Sequence, residues 1–374
     1  MNLENSLKQS EEEIQDMQYE KHINRIKNGS LKIKKDGSLI DLSFTQRFQL
    51  DQLYLTSCHY VSFQYAFSQT CTVFQADKCK IKNLSGIEQI QSIRSLFLYD
   101  NKIEDISPLR SIKSIDTLNI GNNKIIDISP LNQLSNLKSL NLSNNSIVNL
   151  SQIKELYCLE TLYVISNNIS SLFGIQNLKN LQTLGINNNK ITSLNGIQNL
   201  KCLKVIYAEN NKITDLYGVH HLKNLCQLFL CNNQIQDLSP LSGCCSLVSL
   251  EIINNQIVDV SPLQHNLELR YMIIEQNYIS NFQNINKLQN FGILQRENQK
   301  QPSLAQIQTS ARMKTIFTTK SHLEYMSINR TAIISRFESV TQKSELLINA
   351  ITNFQLNLSN KLLQVFGTVE DASQ

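Results

Sequence analysis

Apolar and polar positions along this chain fall into one frame, in which an apolar triplet spaced x-x and x is followed by asparagine and a further apolar residue. Leu137-x-x-Leu140-x-Leu142-x-x-Asn145-x-Ile147 is one copy, and Leu181-x-x-Leu184-x-Ile186-x-x-Asn189-x-Ile191 is another. Its asparagines, Asn101, Asn123, Asn145, Asn167, Asn189, Asn211, Asn233, Asn255 and Asn277, stand at a constant step of 22 residues. Register held over nine units without a slip marks a stack of like rungs rather than a set of separate lobes. In each copy the alternation Leu140-x-Leu142 places both side chains on one face of a short strand. The asparagine then turns the chain, and its amide is expected to bond backbone groups of its own turn and of the neighbouring rung, giving a structural ladder. After the turn the period changes. Leu172, Ile175, Leu178 and Leu181 recur every three residues, the step of a 3₁₀ helix or a tight extended run. That return segment also carries either a proline (108, 130, 240 and 262) or a glycine (86, 174, 196 and 218), both residues that punctuate turns.

The predicted fold class is therefore a repeat solenoid: a curved parallel β-sheet of about eleven strands on the concave side, with 3₁₀ or extended turns on the convex side. Three segments are expected, with the solenoid over 28–294. Upstream units run through Phe74, Ala76, Cys79 and Ile81, through Leu53, Leu55 and Cys58, and more weakly through Leu31 and Ile33. Over 1–27, Ser10-Glu-Glu-Glu13 resembles a capping box, and Asn28-Gly29 a stop, for a helix that covers the first rung or serves as a docking peptide. Over 295–374 the chain lacks proline and glycine from Ser303 to Phe366, as a helical region would. There Ile333, Phe337, Val340, Ser344, Leu347, Ile351, Phe354, Leu358, Lys361 and Val365 step by four and three, the pattern of a coiled-coil seam. That stripe suits either docking within the chain or a homodimer through residues 333–365.

Strand residues that flank the core pair point out from the concave face and are free of core duty. Reading those slots gives Phe97 with Tyr99, Tyr163 with Ile165, Tyr207 with Glu209, then Phe229, Ile253, Tyr271 and Ile273. Aromatic groups beside polar ones are what a protein interface uses as anchors, so these ten are the candidate protein-binding residues. Cross-strand packing of aromatics is the competing explanation.

Composition narrows the chemistry. Among 374 residues the net charge is +4, too small and scattered to argue for nucleic acid as a partner. No run approaches the roughly 18 apolar residues of a membrane span, and the polar start MNLENSLKQSEEEIQ has no signal-peptide core, so a cytoplasmic protein is expected. Nine cysteines, an odd count, are expected as reduced, buried thiols. No phosphate-binding glycine loop, nucleophile elbow or zinc-protease motif occurs. His220-His221 and Cys244-Cys245 lack neighbours at metal-ligand spacing. Asp105, Asp127, Asp215, Asp237 and Asp259 recur in phase with the repeat, which marks a structural role. No catalytic residue, cofactor or metal is expected.

The return segments Asp105–Leu109, Asp127–Leu131, Leu172–Ile175 and Leu194–Ile197 resemble two kinds of 22-residue leucine-rich repeat, the bacterial internalin type and that of a regulatory subunit of protein phosphatase 1. The resemblance implies a non-catalytic scaffold that binds a protein partner on its concave sheet. It also leaves open a regulatory subunit of a Ser/Thr phosphatase, while the C-terminal seam leaves open a structural protein that assembles into multimers.

Overall fold

In a computed structural model, the structure describes residues 30–34, 39–41, 50–57, 60–62, 70–282, 285, 293–295 and 299. The chain winds through short strands that all enter one sheet in the same direction. The first are β1 (Ser30–Lys34), β3 (Gln52–Thr56) and β5 (Val73–Asp77). A small separate pair, β2 (Leu39–Asp41) with β4 (Tyr60–Ser62), lies parallel between the segments that follow β1 and β3. From there each strand is three residues long: β6 (Ser95–Phe97), β7 (Thr117–Asn119), β8 (Ser139–Asn141), β9 (Thr161–Tyr163) and β10 (Thr183–Gly185). The array continues through β11 (Val205–Tyr207), β12 (Gln227–Phe229), β13 (Ser249–Glu251), β14 (Tyr271–Ile273) and β15 (Ile293–Gln295). Thirteen strands thus pair in sequence order, β1 to β15, against the eleven the repeat predicted. Register is that of the sequence repeat, residue n opposite residue n + 22, as in Leu184 against Ile206; β3 against β5 is shorter by one, with Leu53 opposite Phe74.

Because the register equals the repeat, like side chains pile on like. Leu96, Leu118, Leu140, Leu162, Leu184, Ile206, Leu228, Leu250 and Met272 form one buried column, and Leu98 through Ile274 another. Every rung is closed by its neighbours, so the core is a continuous spine rather than a ball.

The return segments divide by their punctuating residue. Where proline stands, the segment is a five-residue 3₁₀ helix: Ser107–Ser111, Ser129–Gln133, Ser239–Gly243 and Ser261–His265. Proline's fixed φ suits the start of such a turn, and its missing N–H is one that would find no partner there. Ahead of the serine an aspartate accepts the Ser N–H, as Asp105 does from Ser107 at 2.8 Å and Asp259 from Ser261 at 2.8 Å. The in-phase carboxylates are thus turn-closing groups. Where glycine stands, the backbone is left-handed at φ 93–113°, and the helix shortens to Ile87–Gln89 or Val219–His221 or gives way to plain turns after Gly174 and Gly196.

Two expectations need correction. The solenoid does not stop at Leu294: β15 runs to Gln295, and Gln299 occupies the next ladder position, 22 residues after Asn277. The cysteines are not uniformly buried, since Cys158, Cys202 and Cys245 are exposed on the return side while Cys71, Cys79 and Cys244 are buried. The return segments turn every third residue inward and leave the two between toward solvent, and cysteine is small enough to sit in either kind of slot. No α-helix occurs among the described residues. The helices expected over 1–27 and beyond Ser303, with the seam over 333–365, lie outside the described residues.

Candidate functional site: the open face of the sheet

The sheet face is held in place by the asparagines at its border. All but the half-buried Asn123 are buried, and each bonds two rungs at once. Asn189 donates from Nδ2 to the carbonyls of Val164 (2.9 Å), Ile186 (3.0 Å) and Asn187 (3.1 Å), while its Oδ1 accepts the Ile169 N–H at 3.0 Å. Asn101 repeats the pattern with Ala76 and Leu98, and Asn123 with Leu98 and Ile120. Asn145, Asn167, Asn211, Asn233, Asn255 and Asn277 donate in the same way, each to the carbonyl 25 residues earlier. Gln299 closes the series, donating to the Ile274 carbonyl at 2.9 Å and accepting the Ile279 N–H at 3.2 Å.

Two further sets of positions have no counterpart in the sequence reading. The residue before each ladder asparagine is left-handed: Asp100, Asn122, Asn144, Ser166, Asn188, Asn210, Asn232, Asn254 and Gln276 all have φ of 53–59°. Asparagine and aspartate tolerate that region better than other side chains, so the recurring Asn-Asn pairs were the available signal. Asn266 is the second case. It replaces an apolar column residue, is fully buried, and donates to the carbonyls of Leu241 (2.8 Å) and Cys244 (2.9 Å).

On the open face, the outward aromatics are less exposed than strand alternation implies. Phe97, Phe229, Ile273 and Glu209 are buried, at 2%, 3%, 5% and 3% exposure. Tyr99, Tyr163, Ile165, Tyr207, Ile253 and Tyr271 are half-buried. The cause is strand spacing: at ~4.8 Å each ring lies on the side chain of the next rung. Tyr207 and Phe229 stack with centroids 4.9 Å apart and planes within 6°. Tyr163 lies across Gly185, where a Cβ would meet its Cδ1 at 2.4 Å, and Tyr99 lies against Gly121 at 3.3 Å. The most exposed large apolar side chains lie off the strands, among them Ile126 and Phe173, both 64% exposed.

Charge is unevenly distributed over this face. From β5 to β14 the three outward positions of each repeat carry four carboxylates, Asp77, Glu209, Glu251 and Glu275, and neither lysine nor arginine. Lys32, placed over the Tyr54 ring at 5.0 Å, belongs to the first two strands. Burial pushes the carboxyls of Glu209 and Asp77 up to about 7, and burial with the nearby charge of Glu209 pushes Glu251 to about 8. Asp77 is partly compensated, accepting the Tyr99 N–H at 2.8 Å and bonding the Gln75 amide. Burial also raises the Tyr163 phenol, and raises the Cys231 thiol with help from Glu251 and Glu209. On the return side His220 and His221 sit with ring centroids 3.6 Å apart, and no group of three metal-ligating side chains occurs among the described residues.

The family described as Leucine-rich repeat region matches residues 92–230, and that described as Leucine Rich repeats (2 copies) matches 223–265. The chain is a leucine-rich-repeat protein, and its repeats resemble the internalin type. A crystal structure of an internalin from Listeria monocytogenes is 31% identical to this leucine-rich-repeat chain with a TM-score of 0.58, covering 60% of this chain and 66% of its own. This chain therefore spans just under two thirds of that internalin. A leucine-rich-repeat protein of Leptospira interrogans is 24% identical, TM-score 0.56, over 67% of this chain and 73% of its own. A plant peptide hormone receptor, RGFR1 in complex with RGF2, is 17% identical, TM-score 0.56, over 72% of this chain and 50% of its own. The last two likenesses concern the fold alone. No curated protein sequence matches this leucine-rich-repeat chain. Leucine-rich-repeat proteins of this fold are typically interaction modules or receptors.

Proposed function

We propose that this leucine-rich-repeat protein is a non-catalytic scaffold that holds a protein partner on the open, concave face of its sheet. The observation that carries this reading is the Tyr207–Phe229 stack, set among carboxylates on a face whose rungs are fixed by the amide ladder. Rings already stacked lose little side-chain freedom when a partner covers them, which is how anchor residues gain their share of binding energy. The half-buried Tyr99, Tyr163, Ile165, Ile253 and Tyr271 extend the surface to either side, and the buried Phe97 and Ile273 pack beneath it. Supporting this use, the plant receptor of the same fold is described in complex with RGF2. A reducing, cytoplasmic setting belongs to the proposal and is supported by the free thiols of Cys71 and Cys244. Among the described residues no helix is long and apolar enough to cross a membrane.

The test is quantitative affinity capture from the source cells with wild type, Tyr207→Ala/Phe229→Ala, and the off-face control Phe173→Ala, each checked for an unchanged circular dichroism spectrum. At least one protein should be recovered by wild type and the control but lost with the double variant. Equal recovery by all three would place the interface elsewhere.

A further inference from the structure

The anionic end of the open face contains buried acceptors that the fold does not satisfy. Asn187 and Glu209 occupy the same outward slot on neighbouring rungs, 7% and 3% exposed. Asn187 bonds the Glu209 carboxyl through its side chain, yet Asn187 Oδ1 and Glu209 Oε2 are both left without a hydrogen-bond partner. Two orphaned acceptors side by side call for a donor with several N–H groups, since leaving them dry costs ~1–3 kcal/mol each. Cys231 follows Glu209 in that slot on β12, and Glu251, one rung further on β13, stands in the adjacent slot opposite Phe229. Cys231 follows β12, the strand paired on one side with β11, which precedes Glu209, and on the other with β13, which carries Glu251. Burial holds both carboxyls toward their protonated form, and a cation set against them would favour the ionised one. Alongside run the stacked rings of Tyr207 and Phe229.

We propose that Asn187, Glu209, Cys231 and Glu251, flanked by the Tyr207–Phe229 stack, form a seat for an arginine side chain presented by an extended segment of the protein partner. This rests on the partner-binding reading of the same face and adds the partner's chemistry. Arginine suits the seat better than lysine. Its planar guanidinium has five donors for the amide oxygen and two carboxylates, sheds water more readily, and lies flat against aromatic rings. The absence of lysine and arginine from the outward positions of β5 to β14 leaves such a cation nothing to repel it there.

The test uses the full chain and a dye-labelled peptide of repeated Gly-Ser-Arg-Ser units, followed by fluorescence anisotropy. A second peptide carries citrulline, the uncharged isostere, in place of each arginine. Wild type should bind the arginine peptide at least about tenfold more tightly than the citrulline peptide. Glu209→Gln/Glu251→Gln should lose about tenfold, while Glu104→Gln, an exposed carboxylate paired with Lys124, should bind as wild type does. Equal affinity for the two peptides, or unchanged affinity in the double glutamine variant, would overturn the proposal and leave the partner-binding reading to its own alanine test. Residues 300–343 carry seven lysines and arginines against two glutamates, so this chain's own tail is the rival occupant. Peptide binding that emerges only after Arg330→Ser/Arg336→Ser/Lys343→Ser would seat the tail there and overturn the proposal as well.

Discussion

A single asparagine per repeat joins three stretches of backbone. At Asn189 the carbonyls of Val164 and Ile186 and the N–H of Ile169 all point into the buried turn, and one amide meets all of them. Asn189→Ala should therefore cost at least about 2 kcal/mol in denaturant unfolding, because it orphans several buried groups together. Asn188→Gly, one residue away at φ 56° and exposed, should change stability by less than about 1 kcal/mol, since glycine accepts that backbone freely. A loss of equal size at both positions would show that the turn, not the ladder, is what matters. The ladder was legible in the sequence because its spacing is one-dimensional. Gln299 was missed, though its spacing of 22 was there to be read, because glutamine is one methylene longer than the residue it replaces.

The return segment shows how one residue type sets a whole element. Proline yields five-residue 3₁₀ helices, whereas glycine yields a left-handed corner and a shorter or absent helix. The glycines are not equivalent, however. At Gly174, φ is 113° and a Cβ would stand 2.2 Å from the Leu150 carbonyl oxygen; at Gly196, φ is 111° and the nearest atom would be 3.4 Å away. Gly174→Ala should lower stability by at least about 3 kcal/mol, combining strain with a backbone collision, and Gly196→Ala by only about 1–2 kcal/mol of conformational strain. Thermal melts of the two variants side by side check this, and identical melting temperatures would remove the collision from the account. Composition and period announce that both segments turn; the approach of the preceding rung is visible only once the rungs are stacked.

Across the molecule the outward face gathers carboxylates that folding buries. Glu209 rises from 4.5 to about 7, Glu251 from 4.5 to about 8 and Asp77 from 3.8 to about 7. A carboxyl whose pKa is higher folded than unfolded holds its proton more tightly in the native state. Its contribution is full below the unfolded value and is lost as pH rises through the folded one. Stability should therefore decline between about pH 4 and 8, by ~1.4 kcal/mol for each pH unit separating folded from unfolded values. Glu209→Gln/Glu251→Gln should flatten most of that slope in melts run across this range, and a slope unchanged by the substitutions would refute the assignment. The 22-residue period by itself determined the strand direction, the register, the apolar columns and the amide ladder, because in a stack of like rungs each residue's neighbour is its own counterpart one repeat away. Tertiary structure alone decided which outward side chains are covered, which carboxyls are forced together and which acceptors stay unmet. Those depend on the unlike residues that adjacent rungs bring within a few ångströms, and no periodic pattern encodes them.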